Sequence, residues 1–230
     1  MAARRRVRRR ALGGFTLIEL MVVVVMISII ALIATPAMRV ARDDRLAFDY
    51  ARRVEQLIHR GRARAAGRGA AHLFAAGPAG SSRGRFLLFE ALDGTLPANA
   101  GPNPVNSCMG PTQWTAAGVF APGDVSNVAS IVDGFTLDNL GVNVNADIRT
   151  VFSVTGTTYP AVVMCVTPSG KTYVGKGNDI ALAIADMQTQ TVPFNSFMEV
   201  VVTRNQGGTP VGLQRHVIVA GSAAPRIKSL

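Results

Sequence analysis

The chain has 230 residues and a formal net charge of +10 at pH 7, from 24 lysines and arginines and 14 aspartates and glutamates. Six of the arginines lie before residue 14, so the chain beyond that point carries 18 basic and 14 acidic side chains, a formal +4. The charge therefore does not by itself imply binding to nucleic acid. The 195 residues beyond residue 35 are enough for one domain with a buried core.

A basic leader without acidic residues ends at Gly13 and Gly14, and an apolar run follows from Phe15 to Thr35. At about 1.5 Å per residue, a helix of these 21 residues is about 31 Å long, enough to cross the hydrocarbon core of a bilayer. Because positive charges beside a membrane helix stay in the cytoplasm, the leader is predicted to be cytoplasmic and the rest of the chain to cross.

Glu19 is the only charged residue in this run, which holds no cation to pair with it. A charged side chain in the middle of a bilayer costs roughly 2.5–3.5 kcal/mol on insertion scales, so it normally has a partner and a purpose. Cleavage between Gly14 and Phe15 would create a new α-amino group at Phe15. A neighbouring copy would bring that amine to Glu19, so that each subunit neutralises the next.

The segment Gly14-Phe15-Thr16-Leu17-Ile18-Glu19 and the apolar run after it resemble the class III signal of type IV pilins and type II secretion pseudopilins. The resemblance implies that prepilin peptidase removes residues 1–14, that Phe15 is then N-methylated, and that Glu19 is the assembly glutamate. It implies other pilins or pseudopilins and inner-membrane lipid as partners, and no cofactor. Pro36 matches the proline that the family places near the end of the membrane helix, and a bend is expected there.

An ordinary signal peptide and a simple membrane anchor stay open as alternatives for this segment. A signal peptide would be cut near Thr35-Pro36-Ala37, but the apolar core of such a signal has only about 7–15 residues. A simple anchor would hold a periplasmic domain as an uncleaved, single-pass protein.

An amphipathic continuation of the helix is predicted over residues 36–66. An apolar seam recurs every seven residues, which is typical of a helix lying on a core: Val40, Ala47, Val54 and Gly61, with Tyr50 and Leu57 between them. Arginines fall off this seam, on a side that is either solvated or in contact with acidic neighbouring subunits or lipid headgroups: Arg39, Arg42, Arg45, Arg52, Arg53 and Arg60. The segment Gly67-Arg68-Gly69 predicts the helix end.

Residues 67–230 are predicted to form a β-rich periplasmic domain, so the fold class is α+β, with the long helix packed on an antiparallel sheet as in the pilin fold. The expected strands are Ala71–Ala75, Arg85–Ala91, Arg149–Thr155, Ala161–Thr167, Lys171–Val174, Met198–Thr203 and Leu213–Ala220. A short helix is expected at Asp179–Met187, an irregular excursion at Thr95–Pro122 and a hairpin loop at Asn205–Pro210.

The two cysteines, Cys108 and Cys165, either form a disulfide, which a periplasmic location permits, or remain two buried thiols. A bridge would close a loop of 57 residues and would stabilise the domain by roughly 4 kcal/mol in the chain-entropy description.

No catalytic or metal-binding constellation is predicted, so the chain is not expected to be an enzyme. The three histidines, His59, His72 and His216, are scattered, without metal-ligand spacing. The segment Gly80–Gly84 lacks the context of a nucleophile elbow, and Asn143–Asp147 lacks the glycine and glutamate of a calcium loop.

Within pilin-like proteins the chain resembles the minor pilins and pseudopilins of the GspH/FimT type, in the helix end Leu57–Ala65, the turn Val166–Lys171 and a final strand with a basic tail. The resemblance implies a structural subunit of a type IV pilus or a type II secretion pseudopilus. Some minor pilins of natural transformation instead bind DNA through such a tail. Arg226 and Lys228 alternate, so an extended tail would point both charges to one side. Two charges predict only weak binding, however.

Overall fold

The computed structural model describes residues 15–79, 82–93, 103–109, 131–137, 147–206, 209–221 and 223–230. The chain divides into two compact units, Met1–Arg42 and Asp43–Leu230. The elements are α1 (Leu17–Arg68), β1 (His72–Ala79), β2 (Ser82–Glu90), β3 (Leu92–Asp93), β4 (Asn103–Pro104), β5 (Ile131–Thr136), β6 (Asp147–Val154), β7 (Thr157–Tyr159), β8 (Ala161–Val166), β9 (Thr172–Gly177), α2 (Ile180–Gln188), β10 (Phe197–Gln206), β11 (Thr209–Ala220) and β12 (Arg226–Ser229).

The first helix, α1, is assigned without interruption through Pro36, so it contains both helical segments expected from the sequence. The expected bend at Pro36 stays a prediction. Gly69 follows the helix with φ of 67°, in the left-handed region that glycine adopts at helix C-termini. The helix therefore ends at the predicted glycine segment, at Arg68 rather than Ala66.

Two five-stranded antiparallel sheets form the second unit, which confirms the predicted α+β class. The first sheet has the strand order β5-β2-β1-β8-β9, and the second sheet has the order β12-β11-β10-β6-β7. In the first sheet Phe74 of β1 lies opposite Leu88 of β2 and Met164 of β8. A separate two-stranded ladder joins β3 to β4.

The main core lies between α1 and one face of each sheet. Phe86 of the first sheet stacks on Phe135 with ring centroids 4.9 Å apart and meets Phe152 of the second sheet edge-on at 5.9 Å. Buried side chains of all three layers belong to this core, among them Ala47, Ala51, Val54, Leu57 and Ile58 of α1, Phe74, Leu88, Val162 and Met164 of the first sheet, and Met198, Val200, Val202, Val217 and Val219 of the second.

The predicted seam of α1 is confirmed from Ala47 to Gly61, where it is buried. A Cβ atom at Gly61 would lie 2.8 Å from Leu88 Cδ1, so the glycine allows the helix to approach β2 closely. Val40 was wrongly included in the seam, because it lies in the first unit and is 46% exposed.

A second core covers the opposite face of the first sheet. Ile180, Ile184 and Met187 of α2 are buried there against strand residues such as Leu73 and Val163. The predicted short helix is thus confirmed as α2, and the Asp179 side chain accepts a hydrogen bond from the Leu182 N–H at 2.7 Å as its N-cap.

All seven predicted strands coincide with observed strands, whereas β3, β4, β5, β7 and β12 were not predicted. The hairpin loop expected at Asn205–Pro210 is wrong in extent. Asn205 pairs with Pro210 and Gln206 with Thr209, so both strands extend into the expected loop. Of the excursion Thr95–Pro122, the structure describes only residues 103–109.

Candidate assembly site on the first helix

Thr16 caps the N-terminus of α1. Its hydroxyl oxygen accepts a hydrogen bond from the Glu19 N–H at 3.3 Å, and its carbonyl accepts from the N–H groups of Glu19 and Leu20 at 3.1 and 3.2 Å. A Thr at the cap with a Glu three residues later is the pattern of a capping box. Glu19 therefore lies in the first turn, where the helix dipole favours a carboxylate. The role of Thr16 was not predicted, although this spacing would have revealed it.

The side chains from Phe15 to Thr35 are all exposed in the isolated chain. Phe15 is 77% exposed and Leu17 76%. In the part of the chain that the structure describes, α1 is the one helix long and apolar enough to span a membrane, with a mean hydropathy of 3.0 over its best window. A surface of this kind needs lipid or other apolar helices around it.

Polar groups in this apolar segment differ in how they are satisfied. The Ser28 hydroxyl donates to the Val24 carbonyl at 2.7 Å, and the Thr35 hydroxyl donates to the Ala31 carbonyl at 2.6 Å. Such bonds one turn back let a hydroxyl lie in lipid. The Glu19 carboxylate has no side-chain hydrogen bond or ion pair with any described residue. Gly14 lies outside the described residues.

Arg62 fixes α1 to the end of β11. Its guanidinium donates to the carbonyls of Ala220 at 3.1 Å and Gly221 at 2.9 Å, and also to that of Ala223. Burial of the side chain lowers the pKa of Arg62 from its ordinary value. No local pattern distinguished this arginine from its neighbours in the sequence, because its partners lie far along the chain.

Other arginines of α1 also have partners within the subunit. Arg60 forms an ion pair with Asp133 of β5, and Arg68 Nε lies 2.7 Å from Glu90 Oε1 of β2. The Arg52 guanidinium lies over the Phe48 ring, 5.4 Å from its centroid. The arginine side of the helix is therefore partly used to hold the domain together.

The basic C-terminal segment was expected as a tail beyond the last strand and is instead strand β12. Arg226 lies opposite Ile218 of β11, and Lys228 lies opposite His216. Both charged residues are exposed on the same side of the strand, while Ile227 packs against the main core. Backbone pairing with β11 stabilises this segment as a strand. The sequence of its four residues does not by itself predict a strand.

Cys108 and Cys165 form a disulfide in the structure, with Cα atoms 5.9 Å apart. The bridge fixes residues 103–109 to β8 over the second core. Of the histidines, His59 is exposed, His72 is buried, and His216 Nδ1 lies 2.6 Å from Glu199 Oε1. Within the described ranges, no group of three or more histidines, cysteines or acids is placed to hold a metal ion.

A cleft of about 490 Å³ lies between the β8–β9 turn, the segment before β10 and the end of β11. Among the described residues that line it, Lys171 is the only one with an ionisable side chain, beside small polar residues such as Ser169 and Asn195. No carboxylate or imidazole accompanies the Lys171 ammonium among these described lining residues.

Comparison with known proteins places the recognisable signal at the same end of the chain. Residues 9–35 match a protein-family model described as the prokaryotic N-terminal methylation motif. No curated protein and no solved structure matches the chain. The matched span includes the Gly14–Phe15 junction, Glu19 and the exposed apolar segment of α1. The motif and this single apolar helix support a membrane-anchored, type IV pilin-like protein that is a substrate of prepilin peptidase.

Proposed function

We propose that this chain is a minor pilin or pseudopilin of the GspH/FimT type, a structural subunit without enzymatic activity. Prepilin peptidase removes residues 1–14 and methylates the new amine of Phe15 in the inner membrane. The first helix then assembles with those of other subunits in a type IV pilus or a type II secretion pseudopilus. The β-rich unit lies in the periplasm or on the assembled filament.

The observation that carries this proposal is the Glu19 carboxylate, which has no partner among the described residues and lies on an exposed apolar helix. The hydroxyls of Ser28 and Thr35 already bond to their own helix, so Glu19 requires an external group where they do not. The amine at Phe15 of the next subunit is positively charged and lies in the same apolar environment as Glu19. An ion pair between the two neutralises both charges within the lipid.

The direct test is the mass of the protein made with and without prepilin peptidase. With the peptidase, the chain should begin at Phe15 and carry one added methyl group. Gly14→Trp should leave the leader attached, since bulk at the cleaved bond prevents the reaction, while Gly13→Ala serves as the matched control. A chain that keeps residues 1–14 beside active peptidase would contradict the proposal and favour a simple membrane anchor.

DNA binding by a minor pilin of natural transformation is the second candidate. The observation that favours it is the pair of exposed cations, Arg226 and Lys228, on one side of β12. Retention of duplex DNA at low salt should then fall when both are changed to Ala, and should persist in Lys171→Ala, which removes an exposed lysine elsewhere. Equal retention by the wild type and both variants would exclude this role for β12.

The two filament types are separated by phenotype. Loss of a pseudopilus subunit should block export of secreted proteins while twitching and transformation continue. Loss of a pilus subunit should have the opposite effect.

A further inference from the structure

The exposed side of α1 within the second unit carries an unusual excess of positive charge. We call it the arginine face and define it by its exposed arginines: Arg45, Arg52, Arg53, Arg60, Arg64 and Arg68. Asp49 is the one exposed acidic residue between residues 43 and 68, all of which the structure describes. Arg60 and Arg68 pair with Asp133 and Glu90, so four arginines without an ion pair to a described residue remain for one exposed carboxylate.

Part of this face forms a straight row. Asp49, Arg53, Gln56, Arg60 and Arg64 follow one another at intervals of three or four residues, the spacing of neighbours on a helix surface. Arg45, Arg53 and Arg64 form no hydrogen bond, ion pair or ring contact with another described residue. These three arginines thus present positive charges that the described part of the subunit does not neutralise.

A second copy of this chain is poorly matched to the arginine face. Two copies packed side by side offer one exposed carboxylate on each helix against four arginines that have no ion pair with a described residue. In two parallel copies shifted by four residues, Asp49 meets Arg53 of one neighbour position and Arg45 of the other, but Arg60 meets Arg64 and Arg64 meets Arg68. Like charges across an interface disfavour the wrong partner, which is how charged surfaces provide specificity.

We propose that the arginine face binds an acidic helix face of a different pilin-like subunit, and that its charge prevents this chain from packing helix to helix with itself. The inference rests on the proposed function, because only filament assembly brings first helices side by side. It adds that the chain enters a mixed filament at positions where the neighbouring subunit carries carboxylates opposite the arginine face.

Disulfide cross-linking between tagged copies tests this contact. Gln56→Cys places a thiol in the middle of the arginine face, and it is the only free thiol, since Cys108 and Cys165 are bonded to each other. One full-length chain, the unreversed chain, carries only this change. Its partner also carries R45E, R53E and R64E, which turn the face acidic without touching the internal pairs of Arg60 and Arg68. Both are processed by prepilin peptidase and reconstituted together in phosphatidylcholine vesicles.

Mixed dimers linked through residue 56 should exceed dimers of the unreversed chain at least tenfold. They should decline at about 0.5 M salt, where charges are screened within a few ångströms. The matched control carries K171E, R226E and K228E with Gln56→Cys, which gives the same change of net charge on other surfaces. It should cross-link no better than the unreversed chain.

The proposal would be overturned if the unreversed chain cross-linked with itself as well as with the charge-reversed chain. It would also be overturned if the control chain formed mixed dimers as well as the charge-reversed chain does. Absence of mixed dimers would also overturn it. A lipid contact would then be recognised if the residue 56 thiol is protected from a water-soluble maleimide by phosphatidylglycerol and not by phosphatidylcholine. The mass of the processed chain is measured in the same samples. Correct cleavage without mixed dimers refutes the arginine face alone, whereas failed cleavage refutes the proposed function.

Discussion

Arg204 of β10 faces Asp44 of α1, with 3.5 Å between the guanidinium Nε and the carboxylate Oδ1. Asp43 Oδ2 lies 3.9 Å from Nη1 of the same arginine, whose side chain is only 10% exposed. Alternate residues of β10 up to Val202 are apolar and lie in the main core, and Arg204 is the next residue in this series. The pair lies at the first residues of the second unit, so it holds the beginning of that unit's helix against the β10–β11 hairpin.

Removing this arginine should destabilise the second unit. Arg204→Met keeps the bulk of the side chain but leaves two partly buried carboxylates without a cation, and breaking a buried pair in this way costs about 3–5 kcal/mol. Because Asp44 is 30% exposed, we expect about 2 kcal/mol in the free energy of unfolding of the full chain in detergent.

Denaturant unfolding followed by the circular dichroism of the strands measures this change. Adding Asp44→Asn to Arg204→Met should recover part of the loss, because it removes one unpaired charge. Asp49→Ala, an exposed carboxylate on the same helix, should change stability by no more than about 0.5 kcal/mol. A loss in Arg204→Met no larger than this would show that the pair is not needed.

Elements with a strong local pattern could be predicted from the sequence. The apolar run, the seam from Ala47 to Gly61 and α2 each repeat at helical spacing, and the seven strands are short apolar segments bounded by turn residues. The seam was extended too far, to Val40, because periodicity alone does not show where the packing partner of a helix ends.

Features that depend on distant partners could not be predicted. Arg62 resembles every other arginine of α1 until the carbonyls after β11 are placed beside it. Strand β5 contains Asp133 and Gly134, which have low strand propensity, and it forms through pairing with β2. The candidate assembly site, in contrast, could be predicted, because the Glu19 carboxylate and the Gly14–Phe15 junction are local features of the sequence.

Stability should decrease in mild acid because of His72. The Nδ1–H of this buried side chain donates to the Ala70 carbonyl at 3.1 Å, and Nε2 is buried without a described partner. Burial lowers the pKa of His72 below the ordinary 6.5, and Arg64 and Arg68 add to this, against the opposing effects of the Ala70 bond and Glu90. Below about pH 6.5 the unfolded chain therefore binds a proton that the folded chain does not, and the free energy of unfolding falls as the pH falls.

Comparison of unfolding free energies at about pH 7.5 and 5.5 measures the effect. His72→Asn should show a smaller decrease than the wild type, because its amide can still donate to Ala70 but does not titrate. The variant His59→Gln, at an exposed histidine, should retain the full wild-type decrease. A wild-type slope in His72→Asn would exclude His72 as the cause.

Gly175 should not tolerate a side chain. A Cβ atom there would lie 1.9 Å from the Ala183 carbonyl oxygen and 2.7 Å from Met187 Cβ, so α2 would have to move away from β9. We expect Gly175→Ala to lower the free energy of unfolding by about 2–3 kcal/mol. Gly67→Ala is the control, since a Cβ in the last turn of α1 meets nothing within 4 Å and improves helix propensity. Equal stability of the two variants would contradict the close packing of α2.

Glu19→Ala should separate processing from assembly. The leader junction is unchanged, so prepilin peptidase should still cleave after Gly14, but the Phe15 amine of the neighbour then has no carboxylate to meet. Incorporation into sheared filaments, measured by immunoblot in cells that make the filament, should fall at least tenfold, which corresponds to a coupling of about 1.4 kcal/mol or more. Glu19→Gln should fail similarly, because the missing feature is the charge.

Ser28→Ala provides the control within the same helix. Its hydroxyl is already bonded to the Val24 carbonyl, so its removal leaves no partner unpaired and should leave incorporation at the wild-type level. Wild-type incorporation of Glu19→Ala would show that the carboxylate acts only in the first turn with Thr16, as part of the helix cap. Loss of incorporation in Ser28→Ala as well would show that the helix surface in general, and not the charge of Glu19, determines assembly.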